Sequence, residues 1–140
     1  MKSEIPSGPQ PPAIRVLLIE DNPGDAKIIQ RLLNSVTDGE LDLHHEADLE
    51  SGIEWLRSKG ADVLLLDLGL PPTNGLDTLV RANQRIPDIP KIILSGNDVP
   101  PTILEAIKAG AKDYLVKSRI DGRRLLETIL RVLSRSYPRK

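Results

Sequence analysis

The chain has 140 residues, 39% of them hydrophobic and 28% charged, which is the balance of one ordinary globular domain. The formal net charge of −1 argues against a generally basic surface for nucleic acid or for a membrane. Cysteine is absent, which excludes disulfides, thiolate zinc sites and cysteine nucleophiles, and the lack of an apolar membrane span or secretory h-region predicts a cytoplasmic protein.

Short apolar runs alternate with amphipathic stretches along the chain. Residues 1–12 are rich in proline, serine and glycine and predict a disordered tail, and residues 13–137 predict one domain. Five apolar runs predict strands, at Ile14–Ile19, Leu41–Ala47, Asp62–Leu66, Lys91–Leu94 and Asp113–Val116. Apolar residues at helical spacing predict five helices between and after these strands, the last from Asp121 to about Ser136.

The alternation of strands and helices is typical of a parallel sheet with helices on both faces. Most of the runs are continuously apolar, as strands buried on both faces are, whereas the second alternates and carries His44 and His45. We therefore place the second strand at an edge, with both histidines away from the other strand ends. The predicted fold is a doubly wound α/β domain, with five helices flanking a five-stranded parallel sheet. If the strand order is 2-1-3-4-5, which is common in such folds, the first, third, fourth and fifth strands are contiguous.

Polar side chains stand where four of the predicted strands end. Glu20 and Asp21 follow the first strand, Asp67 the third, Ser95 the fourth and Lys117 the fifth. Taken singly, each is more often a turn former or a solvated charge. Together they suit one chemistry, because crowded carboxylates call for a hard cation such as Mg²⁺ and a phosphoryl group calls for a hydroxyl and an ammonium. The pattern favours Asp67 as a phosphoryl acceptor.

Four segments carry a resemblance to a known family. "LLIEDNPGD", "LLLDLGLPPTNG", "IILSGND" and "AGAKDYLVK" occur in this order, and with them the chain from about Ala13 to Ser136 resembles a response-regulator receiver domain of two-component signalling. The resemblance implies the flavodoxin-like receiver fold, in the manner of a single-domain chemotaxis regulator. It also implies a phosphoprotein that assists its own phosphorylation and dephosphorylation and is otherwise not an enzyme.

The resemblance assigns a role to each residue of the cluster. Asp67 would receive the phosphoryl group from a histidine kinase or a phosphotransfer protein. Lys117 would contact that group, and Ser95 would be the switch hydroxyl that turns toward it. Tyr114 would be the switch aromatic, whose rotamer follows activation.

The resemblance also implies a magnesium site. Asp21 would bind Mg²⁺ directly, Glu20 would act mainly through a metal-bound water, and Asp67 would belong to the same site. The backbone carbonyl of Gly69 would complete the protein ligands.

The expected function is that of a stand-alone response regulator, since four residues follow Ser136. It would signal by phosphorylation-dependent binding of a protein partner through the face of the fourth helix, fifth strand and fifth helix, or pass the phosphoryl group onward in a phosphorelay. We expect a monomer or weak homodimer that binds neither nucleic acid nor membrane. Ser118 stands where the family usually has proline, which leaves partner recognition open.

Two alternatives share this architecture. One is a receiver-like module that binds proteins without phosphorylation. The other is a small-molecule-binding or phosphohydrolase domain. Such a hydrolase needs a second aspartate two residues after its nucleophile, where this chain has Gly69. A flavin site would need a phosphate-binding loop after the first strand and aromatic residues over the ring, but that loop is acidic here and the aromatic residues are too few.

Overall fold

The computed structural model describes residues 13–68, 75–96 and 100–136, apart from the side chains of residues 100, 101, 135 and 136. The predicted disordered tail and the predicted metal ligand Gly69 lie outside these ranges. Elements follow in the order β1 (Ile14–Ile19), α1 (Pro23–Asn34), β2 (Leu41–Glu46), α2 (Leu49–Ser58), β3 (Val63–Asp67), α3 (Leu76–Arg85), β4 (Lys91–Ser95), α4 (Pro100–Lys108), β5 (Asp113–Val116), a 3₁₀ turn (Lys117–Arg119) and α5 (Gly122–Ser136).

The five strands form one parallel sheet in the order β2-β1-β3-β4-β5, which confirms the predicted topology. Two strands run one residue further than predicted. Asp67 pairs in register with Leu94, and Ser95 pairs with Val116. Both polar residues are therefore the last members of strands and not the first residues of loops.

The two faces of the sheet bury separate apolar layers because side chains alternate along each strand. Leu17 and Ile19 of β1 pack in a layer that includes residues of α2, α3 and α4. Val16 and Leu18 pack on the opposite face, in a layer that includes residues of α1 and α5. Among the described residues, no helix is long and apolar enough to span a bilayer.

Local sequence signals fix where α1 and α2 begin. The side chain of Asn22 accepts a hydrogen bond from the amide of Asp25 at 3.0 Å, and Pro23 stands in the first turn of α1. Asp48 caps α2 in the same way, accepting from the amide of Ser51 at 2.8 Å. The capped start of α1 places the loop that follows β1 at the carboxyl edge of the sheet.

The contact between α1 and α5 depends on a glycine. A methyl group on Gly122 would overlap the carbonyl oxygen of Leu32 and lie 3.1 Å from both the carbonyl carbon of Leu32 and Cγ1 of Val36. A backbone carbonyl cannot turn aside as the end of a flexible side chain can. The close approach of the two helices therefore excludes a side chain at this position.

We expect Gly122→Ala to lower the free energy of unfolding by about 1–3 kcal/mol, through overpacking, although alanine normally favours a helix. Urea unfolding would measure the change. Gly96→Ala is the control, because a Cβ there meets no atom of the described residues within 4 Å and the φ of Gly96 is not positive. Equal stability of Gly122→Ala and wild type would contradict the close packing.

Lys91 is buried at the start of β4, at the end of the sheet opposite the strand ends Asp67 and Ser95. It is 2% exposed, and its ammonium donates a hydrogen bond to the carbonyl of Ile86 at the end of α3. Burial lowers the pKa of Lys91 to about 8, and the negative charge of Asp88 opposes the shift only in part. The folded chain therefore releases this proton at lower pH than the unfolded chain does.

The buried amine predicts a pH dependence of stability. Between pH 8 and about 10.5 the unfolded chain keeps the Lys91 proton and the folded chain has lost it, so the free energy of unfolding rises with pH. We expect Lys91→Met to remove this rise, by at most about 1.4 kcal/mol per pH unit, in urea unfolding at several pH values. Lys27→Met, at an exposed site on α1, is the control. Equal slopes for Lys91→Met and wild type would refute the effect.

Candidate functional site

The carboxyl ends of the strands gather the predicted residues at one edge of the sheet. Glu20 follows β1, Asp67 ends β3, Ser95 ends β4 and Lys117 follows β5. Glu20, Asp67 and Ser95 are buried, whereas Asp21 is exposed to solvent. The sheet order brings these five residues to the same edge, as the sequence predicted.

Three carboxylates form a tight group at this edge. Glu20, Asp21 and Asp67 each offer one oxygen, and these oxygens lie within 4.8 Å of one another. The pKa of Glu20 is raised to about 7, mainly by burial and also by the nearby charge of Asp67. The Lys117 ammonium and the amide of Asn22, 3.2 Å from Glu20 Oε2, act in the opposite direction and limit the rise. The raised pKa reflects the cost of crowding negative charge at this edge, a cost that a bound cation would relieve.

The Lys117 ammonium supplies positive charge to the cluster. Its Nζ lies 2.6 Å from Glu20 Oε1, 3.0 Å from Asp25 Oδ2 and 3.7 Å from Asp67 Oδ2. Burial alone would lower the pKa of Lys117. Hydrogen bonds to Glu20 and Asp25, with the charge of Asp67, outweigh burial and raise it. Lys117 is therefore a charged ammonium held among three carboxylates.

Asp25 is a site residue that the sequence analysis did not single out. It stands in the first turn of α1, with its amide bonded to Asn22, and its carboxylate accepts a hydrogen bond from Lys117. Asp25 does not directly follow a strand, as the polar residues of the predicted cluster do. The sequence feature that could have indicated its position is the helix cap at Asn22. This cap starts α1 at the edge of the sheet and places Asp25 three residues later, in the first turn.

Tyr114 and Ser95 lie on neighbouring strands. Ser95 pairs in register with Val116, two residues along β5 from Tyr114, and Tyr114 itself pairs with Ile93. The Tyr114 side chain is buried in the layer that includes residues of α2, α3 and α4. A movement of Ser95 at the end of β4 would therefore occur on the strand next to the one that carries this buried ring.

The prediction that both histidines lie away from the cluster is wrong for one of them. His44 stacks on Trp55, with ring centroids 3.4 Å apart and planes 9° from parallel. His45 instead places Nε2 2.7 Å from the backbone carbonyl oxygen of Glu20. This contact arises because β2 pairs with β1 in a register that sets His45 opposite Leu18, near the end of β1.

The donor set fits a hard divalent cation such as Mg²⁺. Glu20, Asp21 and Asp67 offer carboxylate oxygens, which such ions prefer. Buried Glu20 Oε1 lies 2.6 Å from the Lys117 ammonium, and no other donor of the described residues reaches it. An acceptor oxygen of this kind is suited to a cation or to a water bound to one.

Comparisons with known proteins agree with this arrangement. The family model described as response regulator receiver domain matches residues 16–130. Two-component response regulator ARR7 of Arabidopsis thaliana is 28% identical, over all of this chain and 79% of that protein. Cell cycle transcriptional regulator CtrA of Caulobacter vibrioides is 35% identical, over 74% of this chain and 44% of that protein.

A solved structure shows the same fold. The CheY-like response regulator receiver domain protein from Methanospirillum hungatei superposes with a TM-score of 0.74 at 22% identity, over 89% of this chain and 96% of that one. The chain spans less than half the length of several curated relatives, 48% of transcriptional regulatory protein DegU from Brevibacillus brevis for example. The match to the family model shows that the chain belongs to the response regulator receiver domains of two-component signal transduction.

Proposed function

We propose that Asp67 is the phosphoacceptor of this receiver domain. The observation that carries the proposal is the convergence of Asp67 with Glu20, Asp21, Ser95 and Lys117 at one sheet edge, in a chain of this family. Asp67 is the only one of the three clustered carboxylates that belongs to a strand. Its backbone therefore has a fixed position, which suits a nucleophile.

The proposed donor is a phosphohistidine of a histidine kinase or a phosphotransfer protein. A carboxylate oxygen of Asp67 attacks the phosphorus, and the bond between phosphorus and the donor nitrogen breaks, its electron pair returning to the imidazole. The Lys117 ammonium, 3.7 Å from Asp67, binds one oxygen of the transferred group. The Ser95 hydroxyl donates to another. The chain thus assists its own phosphorylation by the phosphohistidine donor.

We infer that Glu20, Asp21 and Asp67 hold a Mg²⁺ ion beside the acceptor. When bound, Mg²⁺ neutralises charge on the phosphoryl oxygens. The Gly69 carbonyl, which lies outside the described residues, stays a predicted fourth ligand. The Lys117 ammonium would add a second positive charge beside the phosphoryl group.

The proposed output is a change in protein binding at the face of α4, β5 and α5. Leu104 and Ile107 of α4 are large apolar side chains exposed to solvent, which supports a partner surface there. Ser95 and Tyr114 are the proposed switch residues, since phosphorylation would draw the hydroxyl of Ser95 toward Asp67. A shift of the Tyr114 ring on the neighbouring strand would then alter this face.

Incubation with Mg²⁺ and acetyl phosphate tests the acceptor by intact-mass measurement. We expect wild type to gain one phosphoryl group and Asp67→Asn to gain none. Asp62→Asn is the matched control at the other end of β3, where Asp62 Oδ2 accepts from the Arg15 amide at 2.8 Å and asparagine can still accept. It should gain the group as wild type does.

A phosphoryl group that survives in Asp67→Asn would contradict the assignment of the acceptor. No gain in wild type with either acetyl phosphate or a phosphorylated histidine donor would instead favour a receiver that binds partners without phosphorylation.

The metal proposal predicts stabilisation by Mg²⁺ without any phosphodonor. At Mg²⁺ concentrations near 100 times the dissociation constant, wild type should gain about 2.7 kcal/mol, measured as a rise in the melting temperature that EDTA reverses. Asp21→Asn should show at most half of that rise at the same concentration, because it loses a direct ligand. Asp42→Asn, at an exposed site on β2, is the control. Equal rises in Asp21→Asn and wild type would refute the proposed ligand.

A further inference from the structure

The geometry points to Asp25 as a positioning residue for Lys117: it holds the ammonium when a divalent cation takes Glu20. This inference rests on the proposed magnesium site and extends it to a residue outside that site. The carboxylates whose oxygens lie within 4.8 Å of one another are Glu20, Asp21 and Asp67, and Asp25 is not among them.

Lys117 bridges the acidic cluster and α1. Its Nζ is 2.6 Å from Glu20 Oε1 on one side and hydrogen-bonded to Asp25 Oδ2 at 3.0 Å on the other. The Glu20 side chain is fully buried, whereas the Asp25 side chain is 40% exposed. The ammonium therefore has one partner inside the cluster and one at its rim.

A cation in the cluster and the ammonium of Lys117 would compete for the same oxygen. Both are positively charged, and Glu20 Oε1 is already in contact with Nζ. If the ion, or a water bound to it, takes this oxygen, the Lys117 ammonium loses its contact with Glu20. Lys117, whose side chain is 19% exposed, must then find another partner or bear the cost of an unpaired, partly buried charge. Asp25 is already within hydrogen-bond distance, so the ammonium can remain there.

This role differs from the ordinary one of an acid in the first turn of a helix. Such a residue interacts favourably with the helix dipole, and its loss changes stability but not metal binding. Glu50 in α2 provides a matched comparison, because it is also in a first turn and pairs with Arg85 at 3.0 Å. It is not part of the carboxylate group.

The inference predicts that Asp25 raises the Mg²⁺ affinity and that it does so through Lys117. We expect Asp25→Asn to weaken Mg²⁺ binding by about fivefold, measured by calorimetric titration of the full chain without phosphodonor. Asp25→Glu keeps the carboxylate and should restore the affinity to within about twofold of wild type. Glu50→Gln should bind Mg²⁺ as wild type does.

A double-mutant cycle separates action through Lys117 from a direct effect of charge on the metal. Lys117→Gln alone should bind Mg²⁺ more tightly, because the competing ammonium is gone. Adding Asp25→Asn to that variant should then change the dissociation constant by less than about twofold. Thermal unfolding checks that each variant is folded. If Lys117→Gln does not fold, the comparison of Asp25→Asn with Asp25→Glu still tests the inference.

The outcomes distinguish this inference from the proposed function. Failure of wild type to bind Mg²⁺ would overturn both. Wild-type affinity in Asp25→Asn, or an equal loss in Glu50→Gln, would overturn the inference and leave the metal site intact. An equal loss on adding Asp25→Asn to Lys117→Gln would mean that Asp25 acts on the ion directly, which also overturns it.

Discussion

The ion pairs of Lys117 are the interaction on which the carboxyl edge of the sheet depends. Carboxylates this close together, one of them fully buried, would repel one another without a positive charge between them. The ammonium, within 4 Å of Glu20, Asp25 and Asp67, provides that charge in the metal-free protein. This one ammonium offsets only part of the formal negative charge of the surrounding carboxylates.

The sheet makes this concentration of charge tolerable because its two apolar layers anchor every strand that reaches the site. β1, β3 and β4 are buried along almost their whole length, so their ends have well-determined positions. The edge strand contributes as well, since His45 contacts the carbonyl of Glu20. The two apolar layers stabilise the fold, whereas the crowded charges at the carboxyl edge destabilise it, as functional sites commonly do.

Much of this could be predicted from the sequence, and the misses share a cause. Continuous apolar runs indicate buried parallel strands, so a doubly wound sheet could be predicted, and with the common strand order 2-1-3-4-5 its polar strand ends converge. Asp25 was missed because a polar residue in a first helical turn looks the same whether it faces solvent or a lysine 92 positions away. His45 was misplaced because its contact depends on the register of β2 against β1, which no local pattern encodes.

The ladder pairing of Asp67 and Ser95 has a mechanical consequence. Both residues are the last members of strands that pair with a neighbouring strand, so moving the backbone of either one would disrupt the ladder. Side chains can move without breaking the ladder, so a group added at this edge would first displace side chains. The sheet would keep its shape, and the effect of an added charge would pass through side chains toward the surface of the domain.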